Sequence, residues 1–131
     1  MPKTVLFVCI HNAGRSVMAQ SFFNRFNANQ DWVAKSAGTT PKSQVNPVVV
    51  LAMAEIGFDV SGHVPHLLTV ADVKVAEKIF TMGCTDGCPV TPPEKTEDWR
   101  LDDPAGKPIE EVRKIRDEVE RRVLALIDSL A

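Results

Sequence analysis

Cys9 and Arg15 are separated by five residues in the run Cys9-Ile10-His11-Asn12-Ala13-Gly14-Arg15-Ser16, and this pairing is the chain's first chemical feature. Backbone N–H groups in a tight loop and at a helix start can surround a tetrahedral oxyanion. An arginine adds charge-assisted hydrogen bonds. The same positive field favours a cysteine as its thiolate, the nucleophilic form. Ile10, His11, Asn12, Ala13, Gly14, Arg15 and Ser16 are therefore the candidate oxyanion cradle around Cys9. Within it, Asn12 can tie the loop together, and Ser16 can cap the following helix or donate to the sulfur. The segment is no dinucleotide fingerprint, because the glycine triplet is absent, and no nucleotide-triphosphate loop, because the terminal Gly-Lys-Ser or Gly-Lys-Thr is missing. His11 reads more simply as a polar surface group than as a catalyst.

Two further features carry candidate chemistry. Cys84 and Cys88 are separated by three residues in Gly83-Cys84-Thr85-Asp86-Gly87-Cys88-Pro89. That spacing permits a disulfide if the loop bends, which Gly87 favours, but two unrelated thiols would read the same way. Zinc would need more ligands, and His63 and His66 lack an acidic or cysteine partner nearby in sequence, so no metal site is expected. Trp99-Arg100-Leu101-Asp102-Asp103-Pro104 offers an acid that could protonate a leaving oxygen, or simply an Asp-Pro turn.

The elements that must position these residues alternate. Val5 to Val8 is a short apolar run typical of a strand covered on both faces. Apolar spacing predicts a helix over 16–27 capped by Ser16, then a short strand at Trp32-Val33-Ala34 ended by turn chemistry from Ser36 to Pro41. Asn46-Pro47 starts a helix that Gly57 stops near Ile56, and Thr69 caps a short helix to about Val75. Lys78 to Met82 reads as a strand. The proline and glycine density between Gly83 and Pro108 predicts a loop with turns. Val112, Ile115, Val119, Val123, Leu126 and Leu130 then trace one face of a long amphipathic helix. Such alternation implies an α/β fold, one parallel sheet sandwiched by helices, with ligands where strands end and helices begin. Strand ends in such a sheet can bring Cys9 and Cys84 together.

Composition narrows the classes further. With 131 residues the expectation is one domain over 1–131, and a net charge of -2 gives no bulk attraction for nucleic acid or an anionic membrane. No run reaches a membrane-spanning length, and the six apolar or small residues from Val5 to Ile10 make no signal peptide. A cytoplasmic protein is expected, in a reducing compartment where three cysteines favour chemistry over a permanent disulfide framework.

Taken together, these residues resemble the thioredoxin-coupled arsenate reductases built on the low-molecular-weight protein tyrosine phosphatase fold. The resemblance runs from the first strand through His11-Asn12-Ala13-Gly14-Arg15-Ser16, Ser36-Ala37-Gly38-Thr39, Glu55 to Asp59, the late cysteines, Asp102 to Gly106 and the final helix. It implies a three-layer sandwich with a four-stranded parallel sheet and helices on both faces. It also implies that Cys9 attacks arsenic while Arg15 holds the oxyanion, with Asp103, immediately before Pro104, as the acid. Cys84 would attack the Cys9 adduct, Cys88 would attack Cys84, and thioredoxin would reduce the remaining Cys84–Cys88 disulfide. No tightly bound cofactor is implied. Some relatives use glutathione with glutaredoxin, or mycothiol, and some bind potassium, for which Asn12 and Ser36 would be contacts beside an uncharged Gln20. The alternatives are a phosphomonoester phosphatase using Cys9, Arg15 and Asp103, and a noncatalytic redox or oxyanion sensor. The chain has no tyrosine, unlike many phosphotyrosine-specific relatives near their acid loop, and hydrolysis needs neither late cysteine.

Overall fold

The computed structural model describes residues 2–82 and 91–130. Cys84 and Cys88 lie outside the described residues. Four strands, β1 (Lys3–Cys9), β2 (Trp32–Gly38), β3 (Ala76–Thr81) and β4 (Thr96–Asp98), form a parallel sheet in the order β2-β1-β3-β4. The helices are α1 (Arg15–Phe26), α2 (Pro47–Ala54), α3 (Val70–Val75) and α4 (Ile109–Leu130).

The alternation of β1 divides the core in two. Val5, Phe7 and Cys9 join the larger cluster beneath α1, α2 and α4, whereas Leu6 and Val8 face a smaller one with Ala37, Ile79, Leu68 and Val73. Helices therefore cover both faces of an α/β sandwich. Each large apolar side chain removed from water in this way contributes about 1.5–3 kcal/mol. On the larger side α4 docks through Val112, Ile115, Val119, Val123 and Leu126, all buried. Arg116 fastens it to α2, donating to the Ala52 carbonyl at 2.8 Å and pairing with Glu55 at 3.0 Å.

Helix ends follow local chemistry where the sequence is explicit. Asn46 accepts from the Val48 amide at the start of α2, with Pro47 in the first turn. Gly57, at φ 86°, closes its end, where the Gly57 and Phe58 amides donate to Ala54 and Met53. Thr69 and Asp72 form a reciprocal capping box on α3.

Three boundaries differ from expectation. Helix α1 begins at Arg15, one residue early, and its cap is Gly14, which makes no side-chain cap bond; the Ser16 hydroxyl is occupied elsewhere. Strand β2 continues through Ser36 and Ala37 to Gly38, residues that read as a turn, because β1 pairs with them up to Cys9–Gly38. At the last of them, small size is what the end of the strand requires. A Cβ on Gly38 would stand 2.7 Å from the Ile10 carbonyl oxygen and 2.8 Å from the Asn12 nitrogen. Finally, β4 lies inside the predicted loop region, pairing Ile79 with Thr96 and preceded by a 3-10 turn at Pro93–Lys95.

Strand β1 has β2 on one side and β3 on the other, so the chain crosses over β1 between them. This makes the C-terminal ends of β1 and β3 a topological switch point, where parallel sheets leave a crevice for ligands. Cys9 is the last residue of β1, and Met82 directly follows β3.

Candidate active site

At that crevice the chain between β1 and α1 is held open by its neighbours. The carbonyls of Cys9, Ile10, His11 and Ala13 accept from the amides of Thr39, Thr40, Lys42 and Asn46 at 2.7 to 3.3 Å, and the Gly14 carbonyl accepts from Met18. The loop's acceptors are thus engaged by the segment after β2. Among the described residues, the amides from Ile10 to Gly14 donate to no other group, leaving a row of donors for an anion.

Cys9 is buried, with Sγ 2.9 Å from the Ser16 Oγ. The polarity of this contact can be traced backwards. The Asn12 Oδ1 accepts the His66 backbone amide at 2.8 Å, so it is the oxygen that faces this way. It lies 3.0 Å from the His63 Nε2, which must then carry the proton of that bond. The Asn12 Nδ2 donates to the Ser16 Oγ at 2.8 Å, leaving the serine hydrogen for the sulfur. Asn12 makes these contacts fully buried and at φ 48°, the left-handed region that asparagine tolerates better than most residues. Burial, with the neighbouring His66 in second place, holds the His63 pKa below the usual histidine range, favouring the neutral ring.

Arg15 is buried at the foot of α1. One guanidinium nitrogen donates to the carbonyls of Met82 and Leu101, 3.1 Å from the latter. The other stands 3.7 Å from the Asp103 carboxylate. Asp103 is delivered from β4. Trp99 follows that strand, donates its amide to the Thr81 carbonyl at 2.7 Å, and packs its ring 4.6 Å from Phe80 and 5.6 Å from Phe7. Buried Leu101 continues the path, and the Ala105 amide then fixes the Asp103 Oδ1 at 3.0 Å. Pro104 abuts Gly14, where an added Cβ would lie 2.7 Å from the proline ring. A cleft results, lined by Cys9, His11, Ala13, Gly14 and Arg15 together with Lys42, Asn46 and Asp103 to Ala105. Asp102 is exposed and lines a different depression with Arg100, Glu111 and Lys114.

A sequence profile of the low molecular weight phosphotyrosine protein phosphatases matches residues 4–131. The chain belongs to that family. Within the family its relatives include arsenate reductases. One from Staphylococcus aureus is 39% identical over 121 residues, covering 89% of this chain and 90% of its own length. A thioredoxin-dependent arsenate reductase of Corynebacterium glutamicum superposes with a TM-score of 0.80 at 33% identity over 98% of this chain. This chain spans 61% of the length of that protein. A low molecular weight protein tyrosine phosphatase from T. tengcongensis superposes with a TM-score of 0.85 at 27% identity, covering 97% of this chain and 99% of its own. This phosphatase-family fold therefore carries both chemistries among its members.

Asn12 and Ser36, the potassium contacts that the family resemblance implied, are engaged in hydrogen bonds. The Asn12 oxygen already accepts two hydrogen bonds, and the Ser36 hydroxyl donates to the Gln20 side-chain oxygen. Among the described residues no group of three or more His, Cys, Asp or Glu side chains converges for a metal, and no helix is long and apolar enough to cross a membrane.

The structure thus gathers Cys9, the loop from Ile10 to Ser16, Arg15 and Asp103 at one cleft. It adds Lys42, which sequence reasoning passed over, and gives His63 and His66, weighed there only as metal ligands, another part. His63 and His66 reach Asn12 through space from a segment without regular structure, and Lys42 joins the cleft wall from the loop after β2. Proximity to turn residues carries no information about contacts 51 and 54 positions away, as the histidines make with Asn12, or about the Lys42 contact with His11.

Proposed function

We propose that this chain reduces arsenate to arsenite. The observation that carries the reading is the convergence of a buried cysteine bonded to a serine hydroxyl, a row of unengaged amides and a buried arginine on one cleft with Asp103 at its edge. The relatives named as arsenate reductases support it.

In this reading the amides of the loop and Arg15 hold the oxyanion, and the Cys9 thiolate attacks arsenic. An oxygen leaves as water, with Asp103 supplying a proton, and a Cys9–arsenic bond remains. Cys84 then attacks the Cys9 sulfur. The sulfur–arsenic bond breaks, its electron pair passes to arsenic, and arsenite departs as a Cys9–Cys84 disulfide forms. Cys88 attacks Cys84, releasing Cys9 as a thiolate and leaving a Cys84–Cys88 disulfide, which the dithiol of thioredoxin reduces. Each step moves two electrons or none, so the cycle balances with one dithiol oxidised per arsenate. Glutaredoxin with glutathione, or mycothiol, is the next reductant to supply if thioredoxin fails. Such thiol chemistry suits the reducing cytoplasm, the location proposed for a single domain spanning 1–131.

The likeness to the T. tengcongensis phosphatase favours a second reading. There the same Cys9, Arg15 and Asp103 would hydrolyse a phosphomonoester through a phosphocysteine, and Cys84 and Cys88 would have no part. Arsenate-dependent NADPH oxidation with thioredoxin and thioredoxin reductase separates the two. Turnover supports the reductase; its absence with every thiol donor, beside p-nitrophenyl phosphate hydrolysis, favours the phosphatase.

A further inference from the structure

Lys42 has no assigned part in the chemistry above, yet its surroundings are specific. Its amide donates to the His11 carbonyl at 3.0 Å, fixing its backbone directly to the oxyanion loop. Lys42 is exposed, lines the same cleft as Cys9 and Arg15, and also borders the adjoining depression formed by Ser43 to Pro47 with Ala105 and Gly106. Among the described residues it forms no ion pair. Arg15, by contrast, is already engaged by two carbonyls and lies near Asp103. Among the described residues the cleft therefore has a buried, constrained cation in Arg15 and an exposed one, outside any ion pair and on a flexible stem, in Lys42.

The two cations would meet different oxygens. In-line attack by Cys9 requires the leaving oxygen to lie opposite the sulfur, pointing out of the cleft, while the other three face the loop amides and Arg15. In an inorganic oxyanion that fourth oxygen carries a share of the charge or its proton, and accepts a hydrogen bond from an ammonium. In an organic phosphoester the same position holds an ester oxygen that bears carbon and no charge, and in a phosphonate it holds carbon itself. A cation there discriminates by what it finds at the fourth corner, since specificity is a difference of affinities between the two ligands.

We propose that Lys42 is a specificity-determining residue that selects inorganic tetrahedral oxyanions over organic phosphoryl groups. The proposal rests on reading the Cys9 cleft as an oxyanion site. The adjoining depression is consistent with it. A carbon substituent directed there would lie beside Lys42, which with Asn46 and Ala105 borders both spaces.

Isothermal titration of the reduced protein with inorganic phosphate and with phenylphosphonate, which is not hydrolysed, tests this without any turnover. In Lys42→Ala and Lys42→Met the Kd for phosphate is expected to rise about tenfold, the scale of one lost charge contact in a partly screened site, while that for phenylphosphonate changes less than twofold. Unchanged melting temperatures would show that the exposed substitution leaves the fold intact. Equal weakening of both ligands would reduce Lys42 to general charge steering and overturn the proposal, as would no change in either. Failure of the parent protein to bind phosphate at all would instead defeat the oxyanion reading of the cleft, a separable result.

Discussion

The Cys9 sulfur and the Ser16 hydroxyl lie 2.9 Å apart, and once Cys9 is a thiolate the hydrogen between them is the serine's, whose oxygen meanwhile accepts from Asn12. Ser16 is thus a fixed donor to a developing thiolate. A hydrogen bond to a charged group contributes about 1.5–3 kcal/mol, so Ser16→Ala is expected to slow alkylation of Cys9 by iodoacetamide at neutral pH by about tenfold to a hundredfold. Stability should change little by comparison. Unchanged Cys9 reactivity would show that the serine is only a packing group.

His63 sets a pH dependence on the same network. Its folded pKa is lowered by burial, so over the interval below the ordinary histidine value the unfolded chain binds a proton that the folded chain refuses. Stability from this group is present above about pH 6.5 and is lost as the pH falls through that range. Urea unfolding at pH 8 and pH 5.5, above the carboxylate range, should show a decline that is smaller in His63→Gln, whose amide can still donate to Asn12. Identical slopes in the two proteins would remove His63 from the account.

Gly14 predicts a coupling between the oxyanion loop and the acid. A Cβ there would meet the Pro104 ring at 2.7 Å, and a proline ring cannot rotate away as a flexible side chain could. Gly14→Ala must displace the Asp103-Pro104 turn, costing about 1–3 kcal/mol by overpacking. Turnover should therefore fall through kcat more than through KM, since the acid acts on the leaving oxygen rather than on binding. A loss confined to KM would place the damage in the loop instead.

Much of this architecture was legible because its signals are local. The apolar run of β1, the Asn46-Pro47 start of α2, the Thr69 cap and the apolar stripe of α4 each declare themselves within a few residues, and all appear as expected. The Cys9 to Ser16 loop could be placed at a strand end for the same reason. Strand β4 could not. Thr96-Glu97-Asp98 is polar and largely exposed, and only its pairing with Ile79 to Thr81 makes it a strand. Ser36-Ala37-Gly38 misled in the opposite direction, because small residues chosen for a close approach to the Ile10–Asn12 backbone have the same composition as a turn. Lys42 and His63 were invisible because their significance lies in contacts made through the fold.

The most direct test of the central claim is a single turnover without external reductant. Fully reduced protein mixed with excess arsenate, then trapped by alkylation and mapped by mass spectrometry, should yield one arsenite per chain. Cys9 should be recovered as a free thiol, with Cys84 and Cys88 joined. Cys88→Ser should stop one step earlier, with Cys9 bonded to Cys84. No arsenite, or sustained thioredoxin-coupled turnover by Cys84→Ser or Cys88→Ser, would contradict the three-cysteine relay.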